Sequence, residues 1–179
     1  MSETKISNRY AQALMEQAIA GNKLSAIAND MTLLNNTCAS SIDLRNALKN
    51  PIINPQQKLK AMMEIFKSFD NISKDFLQLV CLRNRENLLP DMSEAFLNLY
   101  RHNQGIVKVN VQSATAISEE DKNSIKLYVI KNTGAKSVEL ETEIKADVIG
   151  GMVIKFGDKL LDTSIAAKLR KLKKELNIA

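Results

Sequence analysis

Tryptophan is absent and aromatic residues make up only 4% of the 179-residue chain, which excludes a core built on large rings. Burial has to come from Leu, Ile, Val, Ala and Met, a palette that suits packed helices. Cysteine is scarce as well. Cys38 and Cys81 each sit inside an apolar helical pattern and form no C-x-x-C pair, so both read as buried thiols in a reducing compartment rather than as a redox pair. A single histidine, His102, leaves no His pair for a metal site, and any catalytic dyad would rest on it alone. Its place in "RHNQG" at a helix end suits a cation near the negative end of the helix dipole. No apolar run reaches the roughly 18 residues that cross a bilayer. The opening "MSETKISNRY" lacks the apolar core of a signal peptide and shows no transit peptide, so a cytoplasmic, bacterial protein is expected.

The signatures of common chemistries are missing too. There is no G-x-x-x-x-G-K-[ST], G-x-G-x-x-G or G-x-S-x-G, no kinase set, and no S-x-x-K with partners. No catalytic residue, metal ligand or cofactor is expected.

Apolar residues at 45% and charged residues at 25% give the balance of a globular protein with a core. The net charge of +5 is concentrated: Lys168, Arg170, Lys171, Lys173 and Lys174 against Glu175 account for four of those five charges. The excess belongs to one terminal helix, and a nucleic-acid footprint over the whole surface is not indicated.

Along the chain, Ile6, Tyr10, Leu14 and Ala18 recur every four residues with Ala11 and Ala13 beside them, and Gly21 follows as a stop. This is an amphipathic helix with a small-residue face. Leu24, Ile27, Met31, Leu34 and Cys38 predict a second helix. Ser41 caps a third, which must end before Pro51. Asn54 and Pro55 start a fourth as N-cap and first helical residue. Ser73 is expected to cap a fifth with Phe76, Leu77, Leu79, Val80 and Leu82, and Pro90 to open a sixth that ends at Gly105. Six helices with short loops predict a bundle.

After Gly105 the period changes from helical to alternating. Val107, Val109 and Val111 alternate with Lys108, Asn110 and Gln112, which is a strand with one buried face. "SEED" at Ser118 caps a helix carrying Ile125, Tyr128 and Val129 to Gly134. A second alternating strand sets Val138, Leu140 and Thr142 against the solvated acids Glu139, Glu141 and Glu143. The fold class is therefore α+β: an N-terminal six-helix bundle over 1–105, then a small α/β domain with a mixed sheet over 106–179.

"DVIGGMVIKFGDKLLDTSI", from Asp147 to Ile165, holds the remaining glycines. Gly157 and Asp158 separate two short strands as a primed hairpin turn. Gly150 and Gly151 precede a strand, not a helix, so they fit a bulge or close backbone approach and not a phosphate loop. Asp162 and Ser164 are read as turn and cap residues, with Thr163 or Ser164 capping the last helix. Ile165, Leu169, Leu172 and Leu176 form that helix's apolar stripe.

With these elements in place the chain resembles the delta subunit of F-type ATP synthases, known in mitochondria as the oligomycin-sensitivity-conferring protein. "SNRYAQALMEQA" at Ser7 looks like that family's opening. "ALKNPIINPQQK", "DFLQLVCLRNRENLLPDM", "VKVNVQSATAIS" and "VIGGMVIKFGDKLLDTSI" then match in order. Asn8, Met15 and Lys145-Ala146 depart from the family's usual residues at packing or loop positions.

The resemblance implies a non-catalytic stator subunit through which the catalytic head resists rotor torque, one copy in a hetero-oligomeric proton-translocating complex, peripheral on the cytoplasmic face of the membrane and not inserted in it. The N-terminal domain would hold the N-terminal helix of an alpha subunit of the catalytic head. The C-terminal domain would meet subunit b of the peripheral stalk. By the family's pattern the alpha-binding groove lies between the first and fifth helices, at or near Tyr10, Ala13, Leu14, Gln17, Leu79, Val80 and Arg83. For the apolar ones core packing is the alternative role. Ile165, Leu169 and Leu172, with their basic flank, are the expected stalk contacts. The alternative function is a basic nucleic-acid-binding accessory protein, supported only by the pI and the basic tail; under the stator reading no nucleic acid is bound.

Overall fold

A computed structural model of the chain describes residues 3–145, 148–157 and 159–175. The chain divides into two compact units after Tyr100.

The first unit is helical. Its elements are α1 (Glu3–Ala20), α2 (Leu24–Ser40), α3 (Ile42–Lys49), α4 (Pro55–Ile65), α5 (Asn71–Leu82), a 3-10 turn at Glu86–Leu88, and α6 (Leu89–Gln104), whose last turn passes the division. Local chemistry accounts for most of the boundaries. Ser41 Oγ accepts the Leu44 N–H at the start of α3, and Asn54 Oδ1 accepts the Gln56 N–H at the start of α4, as expected of N-caps.

At α5 the cap differs from the sequence reading. Asp70, not Ser73, accepts the Ile72 N–H, and Ser73 lies one turn inside the helix, fully buried. Asp70 also receives the Lys23 ammonium at 2.7 Å, and its own backbone N–H donates to Asp30, so the residue that starts α5 ties together three segments through its carboxylate and its amide. That web outcompetes a cap placed three residues later.

Two helices end in the same way. Asn22 and Asn84 adopt positive φ, of 52° and 53°, and the N–H groups of Lys23 and Arg85 reach back to the carbonyls of Ala18 and Val80. This six-to-one closure usually takes glycine in the left-handed position, and asparagine is the next best residue there. Gly21, the expected stop, is therefore not the left-handed residue. Its lack of a side chain serves packing, since a Cβ there would lie 3.0 Å from Ile72 Cδ1.

The core of this unit contains Phe66, Phe96, Ile27, Met31, Leu34, Leu77 and Leu89, all below 2% exposure. Each such side chain contributes roughly 1.5–3 kcal/mol through removal from water. Both cysteines are free and buried in it.

The second unit carries a four-stranded mixed sheet in the order β2-β1-β3-β4, formed by β1 (Ile106–Ser113), β2 (Ser137–Ile144), β3 (Met152–Phe156) and β4 (Lys159–Asp162). β1 and β2 are parallel, which needs a crossover, and α7 (Glu119–Thr133) supplies it. β3 is antiparallel to both β1 and β4. α8 (Ile165–Glu175) follows. The alternation in β1 falls as its sequence requires: Val109 and Val111 are fully buried against Ile125 and Val129 of α7, while Lys108 faces solvent.

α7 begins at Ser118, whose Oγ accepts the Asp121 N–H, and ends at Gly134 with φ of 70°. Of the three apolar residues read along α7, Ile125 and Val129 are buried against the sheet, while Tyr128 is 45% exposed. The acidic face of β2 is paired with cations: Arg101 with Glu139 at 2.8 Å, Lys108 with Glu141 at 2.7 Å and Lys145 with Glu143 at 3.2 Å, and Gln112 donates a further hydrogen bond to Glu143 at 3.0 Å. An α+β fold with a helical first part and a mixed sheet in the second is what the periodicities predicted.

Candidate functional site: a cleft on the first unit and an apolar stripe on the second

On the first unit, α1 and α5 leave an open cleft of about 330 Å³ lined by Ala13, Leu14, Gln17, Ile72, Asp75, Phe76 and Leu79. The lining follows from helical geometry. Ala13, Leu14 and Gln17 share one face of α1, and Ile72, Asp75, Phe76 and Leu79 share one face of α5, at separations of three and four. Leu79 is 45% exposed at the rim, whereas Leu14 at the floor is 3% exposed. Ala13 is exposed and short, so a ligand backbone can approach α1 closely there.

Tyr10 stands at one end of this face, one turn before Leu14. Its ring meets Phe76 edge-on at 6.4 Å between centroids, and the Arg85 guanidinium lies 5.6 Å from its centroid. Arg85 gets there because Asn84 turns the chain back at the end of α5. Of the seven residues expected at the groove, the cleft therefore brings together Ala13, Leu14, Gln17 and Leu79, with Tyr10 adjoining through Phe76. Val80 is fully buried in the core, turned by the helical pitch about 100° round α5 from Leu79. Arg83 is the exposed C-cap of α5, and Arg85 holds the position over Tyr10.

The sequence reading missed Ile72, Asp75 and Phe76. The signal was available: Ile72, Phe76, Leu79 and Arg83 recur at four, three and four residues, a stripe separate from Leu77 and Val80.

On the second unit, α8 presents Ile165, Leu169 and Leu172 at exposures of 45%, 52% and 52%. Spacings of four and three put them on one stripe, flanked by the exposed Lys168 and Lys171. Leu176, read as the end of the same stripe, lies outside the described residues.

The segment before α8 is built around its glycines. Gly151 has φ of 75°, and a Cβ there would come within 2.6 Å of the Thr163 carbonyl oxygen, so only glycine fits both the conformation and the space. Gly150 packs under Ile165, whose Cδ1 would sit 2.7 Å from a Cβ. The Gly150 carbonyl accepts the Ile165 N–H at 2.9 Å, which satisfies one of the orphan donors at the start of α8. Asp162 Oδ1 accepts the Ser164 N–H, and Ser164 Oγ accepts that of Ala167, so Ser164 and not Thr163 caps the helix. Thr163 instead donates to the Met152 carbonyl. Gly157 takes φ of 54° at the β3-β4 turn, while Asp158 lies outside the described residues.

His102 is exposed in the last turn of α6. Among the described residues no three His, Cys, Asp or Glu side chains are grouped to hold a metal ion. Burial pushes both thiols up, Cys81 to about 11 with the Glu86 charge adding to the effect and Lys58 opposing it. No helix among the described residues is long and apolar enough to cross a membrane.

The pattern of the family described as ATP synthase delta (OSCP) subunit matches residues 6–176. The ATP synthase subunit delta of Pelodictyon phaeoclathratiforme is 34% identical over 179 residues, covering 98% of this chain and 99% of the relative. The chloroplastic ATP synthase subunit delta of Ochrosphaera neapolitana is 33% identical over 175 residues, covering 96% and 97%. Among solved structures, a chain of the Toxoplasma gondii mitochondrial ATP synthase hexamer, determined by cryo-electron microscopy, superposes with a TM-score of 0.78 at 20% identity, covering 97% of this chain and 98% of that one. At that identity the likeness concerns the fold.

Proposed function

The chain belongs to the ATP synthase delta (OSCP) subunit family, and on that premise we propose that it is a non-catalytic stator subunit linking the catalytic head to the peripheral stalk. A rotary synthase converts torque into chemistry only if its catalytic ring is kept from turning with the rotor. A protein that does this needs two firm attachments and no reaction of its own.

The observation that carries this reading is the pair of uncovered surfaces, one on each unit. The α1-α5 cleft, with an apolar floor, an alanine on its wall and Asp75 and Gln17 at its edges, suits the apolar stripe of an amphipathic helix. Its occupant is the N-terminal helix of an alpha subunit. Ile165, Leu169 and Leu172 on α8 meet subunit b of the stalk, with Lys168 and Lys171 beside them to attract acidic residues. One copy per complex, on the cytoplasmic face of the membrane, follows from that role.

Isothermal titration of the full chain with a synthetic peptide of the cognate alpha subunit's N-terminal segment, at low and high salt, tests the head attachment. One-to-one binding that survives high salt supports it. Absence of peptide binding together with salt-sensitive binding to duplex DNA would favour a nucleic-acid accessory role, for which the affinity should fall steeply with salt.

A further inference from the structure

Ile149 occupies a conformation that a β-branched residue rarely adopts. Its φ is +62°, and the N–H of Gly150 donates to the carbonyl of Val148 at 2.7 Å, closing a three-residue γ-turn of the positive-φ form. That form is rare and strained even for unbranched residues, because a Cβ in the left-handed region crowds the adjoining carbonyl. Strain of this kind persists where the surrounding structure over-determines it, and it clusters at functional sites.

The neighbours of Ile149 account for the turn. Val148 on one side is buried, at 6% exposure, and Gly150 on the other is locked under Ile165 and bonded to its N–H. Between two anchored residues the chain reverses sharply, and the turn sends the Ile149 side chain outward, where it is 64% exposed. Glycine or asparagine would satisfy the backbone better there. An isoleucine gains little for folding in that place, since most of its apolar surface stays in water. It stands one residue from the glycine that carries Ile165, the first residue of the α8 stripe.

We propose that Ile149 is a partner-contact residue that extends the Ile165-Leu169-Leu172 stripe beyond the start of α8, and that the surface so formed takes an amphipathic helix whose apolar face is bordered by carboxylates. Lys168 and Lys171 flank the stripe and set that charge requirement. The proposal rests on the reading of α8 as the stalk attachment, and it adds a contact residue, Ile149, that reading did not include.

The test is isothermal titration of the full-length chain with a peptide of the cognate subunit b end, paired with thermal unfolding. Ile149→Asn fits the left-handed backbone, so its unfolding midpoint should equal or exceed that of the wild type, while its affinity should fall roughly tenfold from loss of one buried aliphatic side chain. Ile149→Leu should keep the affinity within about twofold, because it retains the apolar contact and drops the β-branch. Should the Asn variant unfold, Ile149→Gly reads the same two quantities.

Unchanged affinity in Ile149→Asn, with binding abolished by Leu169→Asp, would overturn the contact role and leave α8 as the attachment. No binding by the wild-type chain would overturn both. Dimerisation of the wild-type chain on sedimentation that the Asn variant loses would also overturn the proposal, in favour of a second copy as the occupant.

Discussion

Lys58 Nζ lies 2.7 Å from Glu86 Oε1, with both side chains almost wholly removed from water, and the same ammonium donates to the Leu48 carbonyl at 2.9 Å. One cation thus joins the last turn of α3, the first turn of α4 and the 3-10 turn before α6. The other carboxylate oxygen, Glu86 Oε2, makes no hydrogen bond among the described residues.

A pair of this kind is costly to break and inexpensive to replace. Lys58→Met leaves the Glu86 carboxylate buried without a counter-ion, which should lower stability by roughly 3–5 kcal/mol in denaturant unfolding. The double substitution Lys58→Met with Glu86→Leu should recover most of that loss. If both single variants and the double unfold alike, the pair is not an energetic unit.

Gly151 is constrained twice, by φ of 75° and by the Thr163 carbonyl 2.6 Å from the place of a Cβ. Gly151→Val should destabilise the second unit by about 1–3 kcal/mol or more. Gly150→Ala should cost less, because the clashing atom is the end of the flexible Ile165 side chain. Equal unfolding midpoints for wild type and Gly151→Val would contradict this account.

Ala13 is exposed on the wall of the α1-α5 cleft and contributes no side chain to the core. Ala13→Lys should leave thermal unfolding within about 0.5 kcal/mol of wild type, as surface substitutions do. The same change should fill the cleft and weaken binding of the alpha-subunit peptide by tenfold or more, on the order of 1.4 kcal/mol. Parallel loss of stability and binding would mean that the position serves packing.

Alkaline pH should lower the stability of the fold through its thiols. Burial raises Cys81 to about 11 from an unfolded value of 9.0, so the folded state holds its proton more tightly. Its contribution is present in full below pH 9 and is lost as pH rises from 9 towards 11. Denaturant midpoints should fall across that window, and Cys81→Ala should flatten the fall. At neutral pH the thiol should react slowly with iodoacetamide until the protein is unfolded.

At acid pH the Asp70 carboxylate acts in the opposite sense. The Lys23 ammonium and the Ile72 N–H hold it below the usual range, so it adds stability above that range which disappears on acidification through its folded-state value.

Much of this architecture was legible in the residue order because it depends on neighbours along the chain. The change from four-residue recurrence before Gly105 to strict alternation at Val107, Val109 and Val111 is a local signal, and so are the caps at Ser41, Asn54 and Ser118. The glycine-strand-glycine-strand order after Val148 likewise excludes a phosphate loop, because no helix follows the glycines. These features require only the pitch of a helix, the pleat of a strand and the hydrogen-bonding reach of one side chain.

What the tertiary structure alone decided involves partners distant in the chain. Asp70 displaced Ser73 as the cap of α5 because Lys23 and Asp30 converge on it from another part of the fold. Val80 went into the core while Leu79 faced the cleft, because the packing of α5 against its neighbours sets the rotation of the helix about its axis. Arg85 reached Tyr10 because Asn84 reversed the chain. The Lys58–Glu86 pair spans 28 residues, and no periodicity brings two opposite charges together at that distance. Sequence periodicity determined which faces are apolar; which of those faces stayed uncovered depended on how the helices packed, and only that arrangement left surfaces available to a partner.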